Sequence, residues 1–318
     1  MYPLLLKAPI KDYLWGGTRL IDDFGFEADT AKAAEAWVLS CHKDGQSTVK
    51  NGELAGLTLS EAIEKMGQSA LGKNALKFPY FPLLIKLIDA KDRLSVQVHP
   101  DDNYALFHEK EYGKTELWYV VDCDEGAKLI YGLNRNISTE ELEERIKNNS
   151  LTEVCNYVDV KKGDVFFISA GTLHAIGKGI LIAEIQQNSN TTYRVSDYGR
   201  LGADGKPRPL HIEKAIDVIK PTVPSEPYGN VGELTLFPFG LIRTLSKCEF
   251  FTTELLSLNG KAGLYDPDSF TSLVVISGEG TLCYPGGSMF IKKGDSVFIP
   301  AGMKATVNGK ADIICSHV

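Results

Sequence analysis

The sequence has 318 residues, 43% hydrophobic and 24% charged, with a formal net charge of −7. That length exceeds the usual single-domain size and suggests two domains or one with a large appendage, while the composition excludes a disordered or fibrous chain. The acid excess excludes a dedicated nucleic-acid binder, because phosphate-backbone binding draws on surplus Lys and Arg; an anionic ligand must meet a local basic pocket.

From the N-terminus onward, residues 1–7 lack the basic start, apolar length and cleavage site of a signal peptide. A capping box, Thr58 to Glu61, predicts a short helix over 62–66. Residues 78–90 form the most apolar stretch, broken by Lys86 and Asp89, and fall short of the roughly 20 apolar residues a membrane span needs. A helix is expected from about Asp102 after Pro100, a strand at 117–121, and a second capping-box helix at 142–148 introduced by Ser138 and Glu141. Strands follow at 165–169 and 180–184, then a helix over 211–219 stopped by Pro221, then strands at 234–237, 272–277, 281–284 and 296–299. Many short strands with regular turn signals point to a sandwich or barrel. The six cysteines are dispersed with no Cys-x-x-Cys pair, which fits reduced thiols in the cytoplasm rather than a disulfide framework. A cytoplasmic protein without membrane or nucleic-acid partners is expected.

An internal repeat is the most informative feature. KKGDVFFISAG at 161–171 recurs as KKGDSVFIPAG at 292–302, identical at eight of eleven positions. Gly-Asp opens a turn, a strand follows, and Ala-Gly closes it where the backbone needs close approach or positive φ. The first copy runs on to His174; the second has Ala305 at the matching place. The first copy resembles the second conserved motif of the cupin superfamily, Gly-x5-Pro-x-Gly-x2-His, with Ser169 at the Pro position. That resemblance implies a metal in the first barrel and a structural role for the second. Further ligands should then alternate on strands so as to share one face. Gln97 and His99 do so with Ser95, while Val96 and Val98 face the other way; Lys114, Glu116 and Trp118 form a second such set. Two imidazoles, a carboxylate and an amide suit zinc in an open, catalytic site, with manganese, cobalt or iron as substitutes.

With these segments in order, the sequence resembles type I mannose-6-phosphate isomerase, also called phosphomannose isomerase. The likeness rests on Tyr13-Leu-Trp15-Gly-Gly, Glu35-Ala-Trp37, Leu94 to Asp102, Gly113-Lys-Thr-Glu116, Gly171-Thr-Leu-His174 and Thr192-Tyr-Arg194. It implies a mainly β protein of two jelly-roll (cupin) barrels with short helical insertions: residues 1–232 as the metal-binding catalytic domain and 233–318 as a second cupin domain without metal. The implied ligands to one zinc ion are Gln97, His99, Glu116 and His174. The implied active-site residues are Arg194 and Glu184, with Lys114, Lys86 and Ser95 where the family places catalytic or phosphate-facing groups; Trp15, followed by two glycines, is expected either beneath the sugar pocket or in core packing at a turn. Larger relatives tend to carry an acid in place of Asn190.

Such an enzyme would interconvert mannose 6-phosphate and fructose 6-phosphate through an enediolate, which requires a proton-transfer group, charge stabilisation and a phosphate clamp. Lys114 and Glu184 compete for the role of base; the basicity of Glu184 is expected to depend on burial and on Arg194, and Arg194 itself is placed either on the phosphate or on the enediolate. The rival reading is a sugar-phosphate sensor or inactive cupin paralogue. Nothing in the sequence decides between monomer and homo-oligomer.

Overall fold

Strands dominate the computed structural model, which describes residues 1–202 and 205–318. Three principal sheets of nine, six and five strands carry the architecture. The six-stranded sheet runs through Val165–Ile168, Glu116–Cys123, Ile180–Gln187, Leu83–Ala90, Glu35–Leu39 and Ile10–Lys11 in spatial order. Its central strands, Ile180–Gln187 and Leu83–Ala90, are buried at every position. Both faces are covered, which is why this part of the sequence reads as a near-continuous apolar run rather than an alternating one.

Alternation nevertheless divides the two faces. Leu83, Ile85 and Leu87, with Leu117 and Tyr119, pack in one cluster with Phe270 and with Val274 and Phe298 of the nine-stranded sheet. Ile88, Trp118, Val120 and Ile182 turn the other way, onto Leu129 and Tyr131 of the five-stranded sheet. That sheet contains Val96–Val98, His174–Ala175 and Tyr193–Ser196. Val96 and Val98 lie on its outer side, as their spacing predicts, beneath Leu142 and Ile146 of the helix Thr139–Lys147 and Ala215 of the helix Ile212–Val218. Gln97 therefore points inward, towards the six-stranded sheet. The fold is mainly β and of the cupin type.

The repeated segment forms equivalent turns. Gly163 and Gly294 have φ of 90° and 91°, and their N–H groups donate to the carbonyls of Val120 and Val275 at 2.8 and 2.9 Å. The Asp164 and Asp295 carboxylates accept from the N–H of Lys161 and Lys292. The next strand pairs in matching register, Ile168 opposite Glu116 and Ile299 opposite Thr271. Thr271 is thus the structural counterpart of Glu116, just as Ala305 is that of His174. In the second half Ala305 belongs to an apolar cluster with Leu273, Val275 and Val297.

All four expected helices form. Thr58 and Glu61 close a reciprocal capping box ahead of Leu59–Met66, Ser138 caps Thr139–Lys147, and Asp101 caps Asp102–His108. The expected strands at 272–277 and 281–284 are instead one strand, Thr271–Tyr284, which carries a bulge between Val275 and Ser277 and so passes Gly278 without ending. The short strand Leu4–Lys7 joins the nine-stranded sheet, Leu4 opposite Phe298, so the ladder crosses the division at 232/233 suggested by the sequence. Trp15 is fixed by the glycines after it: a Cβ on Gly16 would lie 2.5 Å from that of Ala34, and one on Gly17 2.1 Å from the Asp89 carboxylate.

Placing a histidine at Ala305 tests whether the second half is a dormant site or a filled core. Ala305→His is expected to lower stability by at least about 2 kcal/mol, through overpacking and an unpaired imidazole. Thermal unfolding with and without zinc should show a lower Tm that metal does not restore.

Candidate active site

His99, Glu116 and His174 come from three separate segments, are buried, and bring their ligand atoms within 4.8 Å of one another. The His99 Nδ1 lies 2.9 Å from the Thr191 carbonyl and the His174 Nδ1 2.8 Å from that of Thr172. A carbonyl only accepts, so each Nδ1 carries the proton and each Nε2 presents a lone pair. The two Nε2 atoms are 3.1 Å apart. His174 Nε2 is 3.3 Å from Glu116 Oε1, and that oxygen has no hydrogen-bond donor. Gln97 stands directly opposite His174 across the ladder, so their side chains share a face.

The Lys114 ammonium, 3.1 Å from His99 Nε2, relieves the crowding of lone pairs on that side, but it leaves Glu116 Oε1 without a donor and facing His174 Nε2 at 3.3 Å, a pair that a bound cation would satisfy. The donors are imidazole, carboxylate and amide with no thiolate, which fits a divalent ion in an open site rather than a closed structural one. Burial holds both imidazoles neutral, pushing His174 down to about 3; burial and then Lys114 take His99 well below its ordinary value. Burial also pushes the Glu116 carboxyl up to about 8, with the Glu184 charge adding to it. A bound divalent ion reverses that last sign.

A row of side chains crosses the inner face of the six-stranded sheet beside this cluster. Ladder register sets Trp37, Lys86, Glu184 and Trp118 abreast. Lys86 Nζ is 3.2 Å from Glu184 Oε1, and the Trp118 indole N–H donates to Glu184 Oε2 at 2.9 Å. Lys114 Nζ reaches Glu116 Oε2 at 2.6 Å, His99 Nε2 at 3.1 Å and Glu184 Oε1 at 3.7 Å. Burial alone would raise Glu184, but Lys114 and Lys86 outweigh it and hold the carboxyl down at about 2. Burial likewise opposes charge on Lys86, and Glu184 with Glu35 more than offsets it, leaving the ammonium above the usual lysine range. Glu35 in turn accepts from the Trp37 indole at 2.7 Å.

Glu35, Lys86, Lys114 and Glu184 line a cavity of about 310 Å³, within the range of small-molecule sites. The buried lysines mark its deep end. Arg194 and Arg208, both part-exposed, also line it. Arg194 Nε donates to the Ser95 hydroxyl at 3.2 Å and its Nη1 to the Pro209 carbonyl at 2.9 Å. Arg208 is held by a two-pronged contact with Asp197 at 2.8 and 2.6 Å.

Every residue expected at the site from the sequence lines this cavity or the buried cluster behind it, Trp15 included. One expectation is corrected: Glu184 makes its ion pairs with Lys86 and Lys114, so these lysines, and not Arg194, set its charge. Lys86 is almost fully buried. Asn190 lines the cavity and donates to Asp44 at 2.8 Å. The sequence motifs containing Trp118 and Glu35 carried no site role for either residue, and Arg208 lay in no motif. Trp118 shares the alternation of Lys114 and Glu116 and its ring meets His174 edge-on at 5.2 Å, a signal that was available; Arg208 has none. His211 accepts the Arg194 backbone N–H at 3.1 Å through Nδ1.

Comparison with known proteins agrees with this geometry. Residues 4–126 match the family model of the type I phosphomannose isomerase catalytic domain, and residues 241–318 that of the mannose-6-phosphate isomerase cupin domain. The chain is 42% identical over 318 residues to mannose-6-phosphate isomerase ManA of Bacillus subtilis, covering 99% of each. It is 39% identical to mannose-6-phosphate isomerase of Streptococcus mutans, covering 99% of this chain and 98% of that one. The crystal structure of mannose 6-phosphate isomerase from Bacillus subtilis covers 100% of both chains, with a TM-score of 0.93 at 37% identity. Matched along its whole length and in its fold, the chain belongs to the type I mannose-6-phosphate isomerase family.

Proposed function

We propose that this protein is a zinc-dependent aldose–ketose isomerase of the cytoplasm, interconverting mannose 6-phosphate and fructose 6-phosphate in the cavity described above. The observation that carries this reading is the convergence of His99, Glu116 and His174 beside a buried Lys114–Glu184 pair in one cavity. Gln97, His99, Glu116 and His174 are the ligands in this reading. Residues 1–232 form the catalytic unit and 233–318 a supporting unit without metal. No helix among the described residues is long and apolar enough to cross a membrane.

A divalent ion held by these ligands supplies Lewis-acid stabilisation of negative charge on the sugar oxygens. The remaining work belongs to side chains. From the open-chain aldose, the C2 proton leaves to a base, its bonding electrons form the C1–C2 double bond, and the carbonyl pair moves onto O1. Return of a proton to C1, with transfer of the O2 hydroxyl proton to O1, gives the ketose. Lys114 and Glu184, 3.7 Å apart, are the acid–base pair: one enters as a donor and the other as an acceptor. Lys86, whose charge is taken up by Glu184, then positions that carboxylate rather than meeting phosphate. The phosphate falls to the outer end, where Arg194 and Arg208 offer guanidinium forks beside the Ser95 hydroxyl. Trp15 supplies an apolar wall.

Two experiments bear on this assignment. Chelation, or His174→Ala, is expected to remove bound metal and isomerisation together, with zinc restoring only the chelated wild type; an enzyme that keeps turning over after its metal is stripped rules the reading out. The roles of the other residues separate kinetically. Lys114→Met and Glu184→Gln should each lower kcat about 10²- to 10⁴-fold at unchanged KM, whereas Arg194→Ala should raise KM about 10- to 100-fold with metal still bound. Full turnover in Lys114→Met and Glu184→Gln, metal content being normal, would leave a sugar-phosphate sensor as the better description of these groups.

A further inference from the structure

Thr191 fixes the proton of His99 through its carbonyl, yet it lies in a segment, 188–192, that belongs to no strand or helix. The same segment places Asn190 and Thr192 in the cavity wall. Its first half is pinned by Asn188, whose backbone N–H donates to the Pro82 carbonyl and whose side chain donates to that of Phe81, and the Asn190 side chain donates to Asp44; the Asn190 N–H and the Thr191 hydroxyl, nearest the carbonyl that orients His99, meet a carboxylate outside the cavity. Glu111 Oε2 accepts from the Asn190 backbone N–H at 3.2 Å and from the Thr191 hydroxyl at 3.3 Å.

The other oxygen of Glu111 is itself anchored. Lys43 Nζ reaches Oε1 at 2.7 Å, and His42 Nε2 at 3.4 Å. The Asp44 backbone N–H donates to His42 Nδ1 at 3.1 Å, so the Nε2 of this buried imidazole carries the proton and aims it at Glu111. These contacts, His42 first, hold the Glu111 carboxyl well below the usual carboxylate range. The small hairpin of Cys41–His42 and Gly45–Gln46 is thereby tied to this segment twice, through Glu111 to the Asn190 backbone and the Thr191 hydroxyl and through Asp44 to the Asn190 side chain.

We propose that Glu111 is a positioning residue for the metal site: braced by His42 and Lys43, it suspends the Asn190–Thr191 backbone and so aims the Thr191 carbonyl that orients His99. This rests on the reading of His99 as a metal ligand. Partners one step behind a ligating histidine typically alter metal affinity about 10- to 100-fold when removed, and Glu111 acts from one step further back.

The test is zinc affinity by chelator competition on the full-length protein, alongside thermal unfolding and isomerase activity at limiting and saturating zinc. Glu111→Ala is expected to weaken zinc binding about 10-fold or more, with turnover recovering as zinc is raised. Glu111→Gln, which keeps an acceptor oxygen, should recover most of that affinity. Thr191→Val removes the hydroxyl contact alone, remains informative if Glu111→Ala fails to fold, and should weaken binding less than Glu111→Ala. Lowered Tm with unchanged zinc affinity in Glu111→Ala and Thr191→Val would reduce Glu111 to a structural role and overturn the proposal. His99→Ala is the control: if it too binds zinc like the wild type, the ligand assignment fails first.

Discussion

Two carboxylates cannot be kept ionised side by side in a protein interior without opposing charge, and the site is organised around that constraint. Glu116 and Glu184 are buried among strands that are buried at almost every position. Lys114 touches both, and Lys86 touches Glu184. The balance is uneven by design of the chain: the lysines pull Glu184 down, while Glu116 is left with an oxygen that nothing donates to. The imbalance marks where a cation belongs, and the lone pairs of two neutral histidines mark the same spot.

Sheet register delivers this arrangement more than any loop does. Trp37, Lys86, Glu184 and Trp118 sit abreast because four strands are in step, and a slip of one residue in any of them would turn its contribution to the opposite, apolar face. The two indoles serve as fixed donors to the carboxylates, Trp118 to Glu184 and Trp37 to Glu35. Neither tryptophan can rotate freely in a fully buried setting, so the carboxylates are held before any substrate arrives.

Much of this was legible in the sequence, for identifiable reasons. Alternation at 95–99 and 114–118 fixed which side chains share a face, and the duplicated turn with Ala305 in place of His174 located the metal-bearing half. The direction of Lys86 was not legible, since a strand buried on both faces carries no periodic mark of inside and outside. Gly278 and Gly280 look like breakers in the sequence, yet the strand Thr271–Tyr284 runs through both: after a bulge between Val275 and Ser277 they pair in register with Ala311 and Gly309. Glu111 was invisible because one of its partners is a backbone N–H, which any residue at 190 but proline would supply.

The strand Leu4–Lys7 has a consequence for how the molecule is made. Its partner Ser296–Ile299 is separated from it by most of the sequence, so during synthesis this segment emerges long before that neighbour, although its other partner, Thr48–Val49, follows it closely. Closing so large a loop is slow compared with local pairing, though its entropic cost grows only gently with length. Until it closes, the growing C-terminal sheet keeps an open border at Ser296–Ile299, with backbone donors and acceptors free to recruit a strand from another chain. Docking of four early residues thus doubles as a seal against misassembly.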